Sequence, residues 1–362
     1  MTEIPANADG ITAAWLREAT AASGALDGLT SVKAERLGEG VGMTTEIYRL
    51  MLNYAADSPR GPATLVAKLQ ASLPMMRDVA NAYGLYEREV LFYRELASTI
   101  SLRSPRCLVA AFDPASKAFV LVMEDLCDAR PGDQVAGLTL DQLRVAIDQV
   151  ADLHARWWNR SELPGLEDKI QPFGVPPYCD FNARHASGWE TFDRFLEGRV
   201  SRELRRVGER MCDTLDGMAA DMARGPRTIC HGDFRADNLM FTEVDGAPGL
   251  TCVDWQLAMQ ARGPFDIGYM MSGSVNVDVR REHEMALLRG YHDKLLAAGV
   301  EGYSFEECLH DYRRALLIGF TYLSQSGAAA DLTHPRTEAL YDAGMRRIDA
   351  AVADHGLAEF VN

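Results

Sequence analysis

The hydrophobic pattern of the N-terminal third of the chain changes between a helical and a strand period. Apolar residues recur at helical spacing over residues 11–22 and again over 79–99. Short apolar runs bounded by Gly, Pro, Asp and Asn, which are typical of strands, begin near residues 32, 46, 65 and 118. The pattern therefore predicts a strand-rich N-terminal part that also contains two helices.

The remainder of the chain is mostly helical in pattern. Residues 139–158 predict a long helix, because its apolar residues share one face and Thr139 is a residue type that caps helix starts. Three further helices are predicted at 282–298, 305–324 and 337–355. A hairpin interrupts this helical part: the apolar runs 239–242 and 250–253 flank a segment with an Asp-Gly turn signal.

Polar residues stand at both ends of this predicted hairpin. Residues 228–230 are predicted to end a strand, so 231–238 would be a loop leaving a sheet, where functional side chains are usually exposed. Asn238 enters the first hairpin strand and Asp254 leaves the second. Because a hairpin brings its outer ends together, we expect Asn238 and Asp254 to lie close together, beside Asp233.

Three oxygen-bearing side chains at one place indicate a magnesium nucleotide. Mg²⁺ prefers carboxylate and carbonyl oxygens and is commonly held by one or two carboxylates together with phosphates. In phosphoryl transfer a loop Asp orients or deprotonates the attacking hydroxyl, an Asn five residues later holds metal, and a later Asp bridges metal to phosphate. The spacing predicts Asp233 as the base, with Asn238 and Asp254 as Mg²⁺ ligands.

These residues also carry a family resemblance. The sequence resembles the aminoglycoside phosphotransferase and choline kinase superfamily, whose loop reads His-Gly-Asp-x-x-x-x-Asn before an Asp-Phe or Asp-Trp motif. It is similar in particular to the branch related to ecdysteroid kinases, through Glu124-Asp125-Leu126, Leu153-His154-Ala155 and Asp254-Trp255-Gln256. The resemblance implies an α+β, bilobal protein-kinase-like fold with an antiparallel-sheet N-lobe and a mainly helical C-lobe. Residues 1–124 would bind nucleotide, and residues 125–362 would carry the catalytic and acceptor-binding groups.

The same resemblance assigns a lysine and its partner. Lys68 is the one charge in the apolar run 65–69, as expected of the kinase lysine that contacts the α and β phosphates. A lysine on an edge strand facing water is the alternative. Glu89 is the only charge on the apolar stripe of the helix at 79–99, so we expect it to pair with Lys68. Glu87, or a solvated position for Glu89, is the alternative.

Two further segments resemble nucleotide-binding elements. Gly38, Gly40 and Gly42 lie between two predicted strands, as in a glycine loop that covers phosphates, although an ordinary hairpin would use the same residues. The strand at 118–123 leads into a segment that resembles the hinge between kinase lobes. Met123, Glu124 and Leu126 would there contact adenine through backbone groups, the alternative being a structural linker.

Composition restricts the partners and the compartment. The chain has 362 residues, a net charge of −15 and seven scattered cysteines without a Cys-x-x-Cys pair. The acidic balance argues against a nucleic-acid partner, and the cysteines indicate a reducing compartment without a zinc site. The N-terminus lacks signal-peptide features, and no run of about 18 apolar residues is present. We therefore expect a cytoplasmic protein without a membrane span; the pattern leaves its oligomeric state open.

The expected activity is transfer of the γ-phosphoryl group of ATP, or of GTP, to a hydroxyl of a small molecule. The alternatives are a catalytically silent nucleotide-binding module and a metal-dependent phosphohydrolase built on His231, Asp233 and Asp254. The acceptor is not fixed by the fold. An antibiotic, a choline-like alcohol, a sugar and a lipophilic alcohol are all compatible, and the likeness to ecdysteroid kinases favours the last.

Several other residues have both a structural and a functional interpretation. His154 is expected to be a core residue, His231 to support the loop backbone, and Asp266 to order the loop or to cap the helix that follows. Cys230 and Cys252 are expected to pack in the strands beside the site. Four aromatic residues are candidates for acceptor contact or for the core: Trp189, Phe192, Tyr312 and Tyr322.

Overall fold

The chain folds into two units. The computed structural model describes residues 3–37, 44–58, 61–160, 170–244, 247–327 and 333–362. The first unit consists of residues up to 99 together with 104–128, and the second of residues 100–103 and 129–362. The assignment of nucleotide binding to residues 1–124 and of catalysis to 125–362 stays a prediction, because a division by contacts does not show what each part binds.

The first unit is built on a five-stranded sheet whose neighbouring strands are all antiparallel. The strands are β1 (Leu29–Leu37), β2 (Thr45–Tyr54), β3 (Thr64–Gln70), β4 (Cys107–Phe112) and β5 (Phe119–Glu124). Their order is β1-β2-β3-β5-β4, which confirms the expected antiparallel N-terminal sheet.

One hydrophobic cluster of this unit lies on one face of the sheet. Leu65, Ala67 and Leu69 alternate along β3 and pack with apolar residues of β2 and β5 in one buried cluster. The alternation follows from the two-residue period of a strand, which points every second side chain to the same face. Lys68 lies between these residues on the opposite face and is nevertheless only 4% exposed. Its burial therefore needs a partner on that other face.

The helices of the first unit are shorter than the sequence pattern predicts. α1 spans Ala13–Ala19 and begins after Thr12, whose hydroxyl accepts from the backbone N–H of Trp15. The single helix predicted at 79–99 is instead α2 (Pro74–Ala82), α3 (Leu85–Leu91) and a π-helical turn (Phe92–Leu96). Gly84 causes the break, because its φ of 65° lies in the left-handed region.

The second unit is mainly helical, as expected. Its helices are α4 (Leu140–Trp157), α5 (Phe181–Leu196), α6 (Arg202–Met222), α7 (Pro264–Ser274), α8 (Val277–Ala297), α9 (Phe305–Ala315), α10 (Ile318–Gly327) and α11 (Pro335–His355). Thr139 and Gln142 form a reciprocal capping box at the start of α4. The helix predicted at 305–324 is divided into α9 and α10. Within the described residues, no helix combines the length and apolarity needed to cross a bilayer.

Short strands interrupt the helices and supply the frame of the candidate site. β6 (Arg130–Pro131) pairs with β8 (Leu239–Val244), which forms the predicted hairpin with β9 (Ala247–Cys252). β7 (Thr228–Cys230) pairs with β10 (Met259–Ala261). The chain between β7 and β8, and the chain between β9 and β10, contain the predicted catalytic and metal-binding residues.

Candidate active site

The β8–β9 hairpin brings its two polar ends together. Leu239 pairs with Cys252, and the backbone N–H of Val253 donates to the carbonyl oxygen of Asn238 at 3.0 Å. Asp254 is the next residue, so Asn238 and Asp254 leave the same end of the hairpin. The sequence explains this hairpin locally, because two apolar runs flank an Asp-Gly turn signal.

Asp233 lies in the loop that precedes this hairpin and is 8% exposed. Its Oδ2 accepts from Nδ2 of Asn238 at 2.8 Å and from Nε of Arg235 at 3.2 Å. Its Oδ1 accepts from the hydroxyl of Tyr269 at 2.7 Å. Asn238 Nδ2 also donates to the backbone oxygen of Asp233 at 2.9 Å. The predicted base and one predicted metal ligand are thus in direct contact.

The backbone of the loop is held by a carboxylate from another element. Asp266, in the first turn of α7, accepts from the N–H of His231 at 2.7 Å and from that of Gly232 at 3.0 Å. Its Oδ2 also lies 3.2 Å from Nε2 of the fully buried His154. Of the two roles considered for Asp266, the structure shows the ordering of the loop.

Gly232 meets a steric requirement at this turn. Its φ is 83°, and a Cβ placed there would lie 2.1 Å from the carbonyl oxygen of Leu257. Both facts require glycine, since a side chain is disfavoured in the left-handed region and has no space here.

Both imidazole nitrogens of His231 are engaged with the backbone. Nδ1 accepts from the N–H of Asp233 at 3.2 Å, and Nε2 lies 3.0 Å from the carbonyl oxygen of Val253. The ring also packs on Trp255, with centroids 4.5 Å apart. His231 therefore links the loop to the end of the hairpin, in agreement with its structural interpretation. The nearby thiols of Cys230 and Cys252 are buried, and burial raises the pKa of each well above its usual value, as packing residues would show.

Two residues at the site were not identified from the sequence. Arg235 donates to Asp233, to Asp237 at 3.1 Å and to Gln134 Oε1 at 2.8 Å. Burial opposes its charge, but surrounding negative charge, that of Asp233 first, raises the pKa of Arg235 above the ordinary arginine value. Its position two residues after Asp233 was a signal available in the sequence. The sequence offers no such signal for Tyr269, because Tyr269 lies on α7, far along the chain from Asp233.

The donor set suits Mg²⁺. Because Asn238 directs its Nδ2 to Asp233, its carbonyl Oδ1 is the atom that remains for a cation. Asp254 adds a carboxylate and adopts a φ of 67°, a conformation that Asp tolerates better than most residues. Its Oδ2 accepts from Nε2 of Gln256 at 3.3 Å. Carboxylate and amide oxygens are the ligands that this hard cation prefers, so Asn238 and Asp254 are the residues that would hold it.

In the first unit, Lys68 and Glu89 form the expected ion pair. Lys68 Nζ lies 2.8 Å from the Glu89 carboxylate, and both side chains are almost fully buried. Glu87, the alternative, is exposed. The partnership follows from β3 and α3, since Glu89 lies on the buried face of that helix. What the pair does toward a nucleotide stays a prediction.

The other predicted nucleotide contacts are only partly visible. Gly38, Gly40 and Gly42 lie outside the described residues. Met123 and Glu124 end β5, and the N–H of Glu124 donates to the oxygen of Arg106 at 2.9 Å, which commits it to the sheet. Leu126 is half-buried after the strand.

The segment after β5 is anchored by the residue between Glu124 and Leu126. Asp125 accepts from Arg49 of β2 through two hydrogen bonds, at 2.6 and 3.2 Å. The segment is therefore tied to the sheet, whereas its contact with adenine stays a prediction.

The four aromatic candidates have different surroundings. Phe192 and Tyr312 are fully buried, and the Tyr312 hydroxyl donates to Glu284 at 2.8 Å, so both belong to the core. Trp189 stacks on His185, with centroids 5.2 Å apart. Tyr322 alone of the four contacts a ring of the site, lying 5.1 Å from Tyr269 between centroids.

Comparison with known proteins identifies the family of this chain. A family model described as the ecdysteroid kinase-like family matches residues 39–299, which is more than half of the chain. The chain belongs to the ecdysteroid kinase-like family. This membership confirms the resemblance read from the catalytic loop and the hairpin, and it makes the chain a member of a kinase-like phosphotransferase family.

Solved structures share the fold at low sequence identity. A Ralstonia eutropha protein assigned as an aminoglycoside phosphotransferase has a TM-score of 0.55 and 16% identity, covering 96% of each chain. The GDP and kanamycin complex of the aminoglycoside phosphotransferase APH(2")-IIIa has a TM-score of 0.53 and 13% identity, covering 89% of this chain and 93% of that one. Plasmodium vivax ethanolamine kinase has a TM-score of 0.53 and 11% identity, covering 92% and 84%. The fold is therefore the α+β, protein-kinase-like fold of phosphotransferases.

One curated protein also matches over most of this chain. It is a Caenorhabditis elegans protein described as an uncharacterized oxidoreductase, dhs-27, 23% identical over 346 residues. The match covers 86% of this chain but only 41% of the relative. The chain thus spans less than half of that protein, and the name applies to the longer molecule.

Replacement of Gly232 tests the steric requirement of the loop. We expect Gly232→Ala to lower the free energy of unfolding by about 2 kcal/mol or more, since the left-handed conformation alone costs roughly 1–2 kcal/mol for a side chain. Urea unfolding measured by circular dichroism checks this. Gly217→Ala is the matched control, because a Cβ at this position of α6 meets nothing within 4 Å. Equal stability of the two variants would contradict the requirement.

The Lys68 and Glu89 pair makes a second prediction, on stability. Lys68→Met should lower the free energy of unfolding by about 3–5 kcal/mol, because it leaves a buried carboxylate without its cation. The double variant Lys68→Met/Glu89→Gln should recover part of this loss. Thermal and urea unfolding of the three proteins measure it.

The first unit contains a matched control for this pair. Lys33 and Glu35 form an ion pair of the same 2.8 Å length, with side chains 71% and 51% exposed. Lys33→Met should change stability by less than about 1 kcal/mol, as is usual for exposed pairs. If Lys68→Met lowered the free energy of unfolding by no more than Lys33→Met, burial would not determine how much the Lys68–Glu89 pair contributes to stability.

Proposed function

We propose that the protein transfers the γ-phosphoryl group of a nucleoside triphosphate, ATP in the first instance, to a hydroxyl group of a small molecule. The observation that carries this proposal is the Asp233 carboxylate, oriented by Asn238 at 2.8 Å beside the end of the β8–β9 hairpin from which Asp254 follows. A base and two hard oxygen ligands in this arrangement fit phosphoryl transfer, which depends on positioning and electrostatics.

Asp233 acts as the base in this proposal. The acceptor oxygen forms a bond to the γ-phosphorus, the bond from that phosphorus to its bridging oxygen breaks, and the nucleoside diphosphate leaves. The hydroxyl proton passes to the Asp233 carboxylate. Arg235 stays cationic beside Asp233 and donates to its Oδ2 at 3.2 Å, which helps to hold the carboxylate in place.

Other residues would hold the nucleotide and its metal. Asn238 and Asp254 would bind Mg²⁺ through their side-chain oxygens, and the bound ion would supply positive charge against the phosphates. Lys68, oriented by Glu89, contacts phosphate oxygens, and Met123, Glu124 and Leu126 remain the proposed adenine contacts. The glycines at 38, 40 and 42 would cover the phosphates. GTP is an alternative donor, since the aminoglycoside phosphotransferase of similar fold was solved with GDP.

For the acceptor we propose a lipophilic alcohol, on the strength of membership in the ecdysteroid kinase-like family. The proteins of similar fold include one in complex with kanamycin and an ethanolamine kinase, so cationic alcohols are the competing class. Incubation with ATP and panels of both classes, followed by mass spectrometry for the gain of one phosphoryl group, separates them. Phosphorylation of polar cationic alcohols alone would rule out the lipophilic class.

The phosphohydrolase alternative is less well supported. It needs His231 as a nitrogen ligand of the metal, but both nitrogens of that ring are within 3.2 Å of backbone partners. A silent nucleotide-binding module would retain the nucleotide site without transfer. Transfer activity of the wild type, measured beside its nucleotide binding, distinguishes that module from an enzyme.

Removal of the Asp254 carboxylate tests the metal site. We expect MgATP to raise the melting temperature of the wild type and not that of Asp254→Gly. A ligand at about 100 times its Kd stabilises by roughly 2.7 kcal/mol, which a thermal shift detects. Glycine is chosen because it adopts the left-handed φ of 67° without strain. A shift of the same size in the variant, or one independent of Mg²⁺, would exclude this role for Asp254.

Removal of the base tests the chemistry separately. Asp233→Asn should lower kcat by about 10²- to 10⁴-fold, the usual contribution of a positioned general base, while the MgATP-dependent thermal shift persists. Turnover is measured by nucleoside diphosphate release in the presence of an acceptor that the mass-spectrometric panel has identified as a substrate. Near-native kcat in a folded Asp233→Asn protein would remove Asp233 as the base, and absence of transfer by the wild type with retained nucleotide binding would favour the silent module.

A further inference from the structure

The hydrogen bonds to Asp233 leave a single position for an acceptor. An ionised carboxylate has roughly four lone-pair sites on its two oxygens. Asn238 Nδ2 and Arg235 Nε occupy Oδ2, and the Tyr269 hydroxyl occupies one site of Oδ1 at 2.7 Å. Among the described residues these are the side-chain donors to Asp233. The remaining site is therefore on Oδ1, beside the Tyr269 hydroxyl.

Tyr269 is held in place from several sides. It lies on α7 one turn after Asp266, is 6% exposed, and meets the ring of Tyr322 edge to face, with centroids 5.1 Å apart at 77°. The Tyr322 hydroxyl is buried as well, and burial raises the pKa of Tyr322 well above its usual value. Edge-to-face pairs and burial restrict the ring, so the direction of the Tyr269 hydroxyl is restricted as well.

The hydroxyl of Tyr269 also keeps its proton. Burial, and then the charge of Asp233, raise the pKa of Tyr269 well above its usual value. It consequently stays a donor to Asp233 throughout the pH range in which such a protein works. A phenolate beside Asp233 would instead repel the base.

We infer that Tyr269 is a positioning residue for phosphoryl transfer, which fixes the plane of the Asp233 carboxylate and reserves one lone pair of Oδ1 for the acceptor hydroxyl. This inference rests on the proposed function, because it presupposes that Asp233 is the base. Without Tyr269 the carboxylate is held only through Oδ2, and rotation about its Cβ–Cγ bond moves Oδ1 out of line. Such rotation would remove the proximity and alignment of the reacting groups.

The chain contains a matched pair for comparison. The Tyr303 hydroxyl donates to Oδ2 of the buried Asp311 at 2.8 Å, again in the second unit. Tyr303→Phe removes the same kind of hydrogen bond at a place to which no part of the proposed chemistry is assigned. Tyr303→Phe measures the structural effect of losing a hydrogen bond from tyrosine to aspartate. The loss of kcat in Tyr269→Phe beyond that in Tyr303→Phe is the part that concerns the candidate base.

The experiment compares wild type, Tyr269→Phe and Tyr303→Phe, with 3-fluorotyrosine at position 269 as the conservative replacement that retains the hydroxyl. We expect Tyr269→Phe to lower kcat at least tenfold, with MgATP affinity and acceptor KM each changed less than about threefold. The protein with 3-fluorotyrosine at position 269 should have a kcat within about threefold of the wild-type value. The kcat of Tyr303→Phe should also lie within about threefold of wild type. Circular dichroism melting establishes that all four proteins are folded.

Three outcomes would overturn the inference. These are a kcat of Tyr269→Phe no lower than that of Tyr303→Phe, a parallel loss of MgATP affinity, and a failure of fluorotyrosine to restore kcat in a folded protein. Crystal structures of wild type and Tyr269→Phe supply a readout that needs no turnover. An unchanged Asp233 carboxylate plane in the variant would also reject the positioning role. A rotated plane in the variant, together with a wild type that shows no transfer activity, would reject the proposed function but keep the role of Tyr269 in orienting Asp233.

Discussion

Two successive backbone N–H groups, those of His231 and Gly232, donate to one buried carboxylate, that of Asp266. The loop has no regular partner strand there, so without Asp266 these donors would be buried and unsatisfied, at about 1–3 kcal/mol each. The turn also requires the left-handed φ of Gly232, which fixes the direction in which the next residue leaves. The placement of Asp233, and with it every contact of the candidate base, depends on this arrangement.

Charged groups at the candidate residues occur in buried or half-buried pairs. Lys68 pairs with Glu89 in the first unit, and Arg235 donates to Asp233 and Asp237 in the second. Buried ion pairs contribute little net stability, because loss of hydration offsets most of the attraction between the charges. Their geometric specificity is the better explanation for their presence here. Each pair restricts a long side chain, Lys68 or Arg235, to one direction at a position where phosphate chemistry is proposed.

Family membership and the fold set limits on what the site can be, and they leave the acceptor to local detail. The similar structures have 11 to 16% identity, which supports a shared fold and not a shared substrate. Substrate choice depends on the side chains around the reacting group rather than on the fold. In this chain they include Tyr269, whose hydroxyl donates to Asp233, and Tyr322, whose ring packs against that of Tyr269.

The sequence by itself determined the local elements and the residues whose partners lie close along the chain or at a predictable register. The strand period placed Lys68, the helical period separated Glu89 from Glu87, and the Asp-Gly hairpin brought Asn238 toward Asp254. The antiparallel sheet and the mainly helical second part were predictable for the same reason. The helix breaks at Gly84 and between α9 and α10 were not, because periodicity continues across a turn that tertiary packing imposes.

Only the tertiary structure decided which distant side chains meet. Tyr269 reaches Asp233 across 36 positions, and Arg235 reaches Gln134 across 101. Hydrophobic periods specify which face of an element is buried, but they carry no information on which polar group of another element will stand opposite. That choice depends on how α7 and the segment before α4 pack against the loop at residues 231–238, and it supplies the contacts that orient the candidate base.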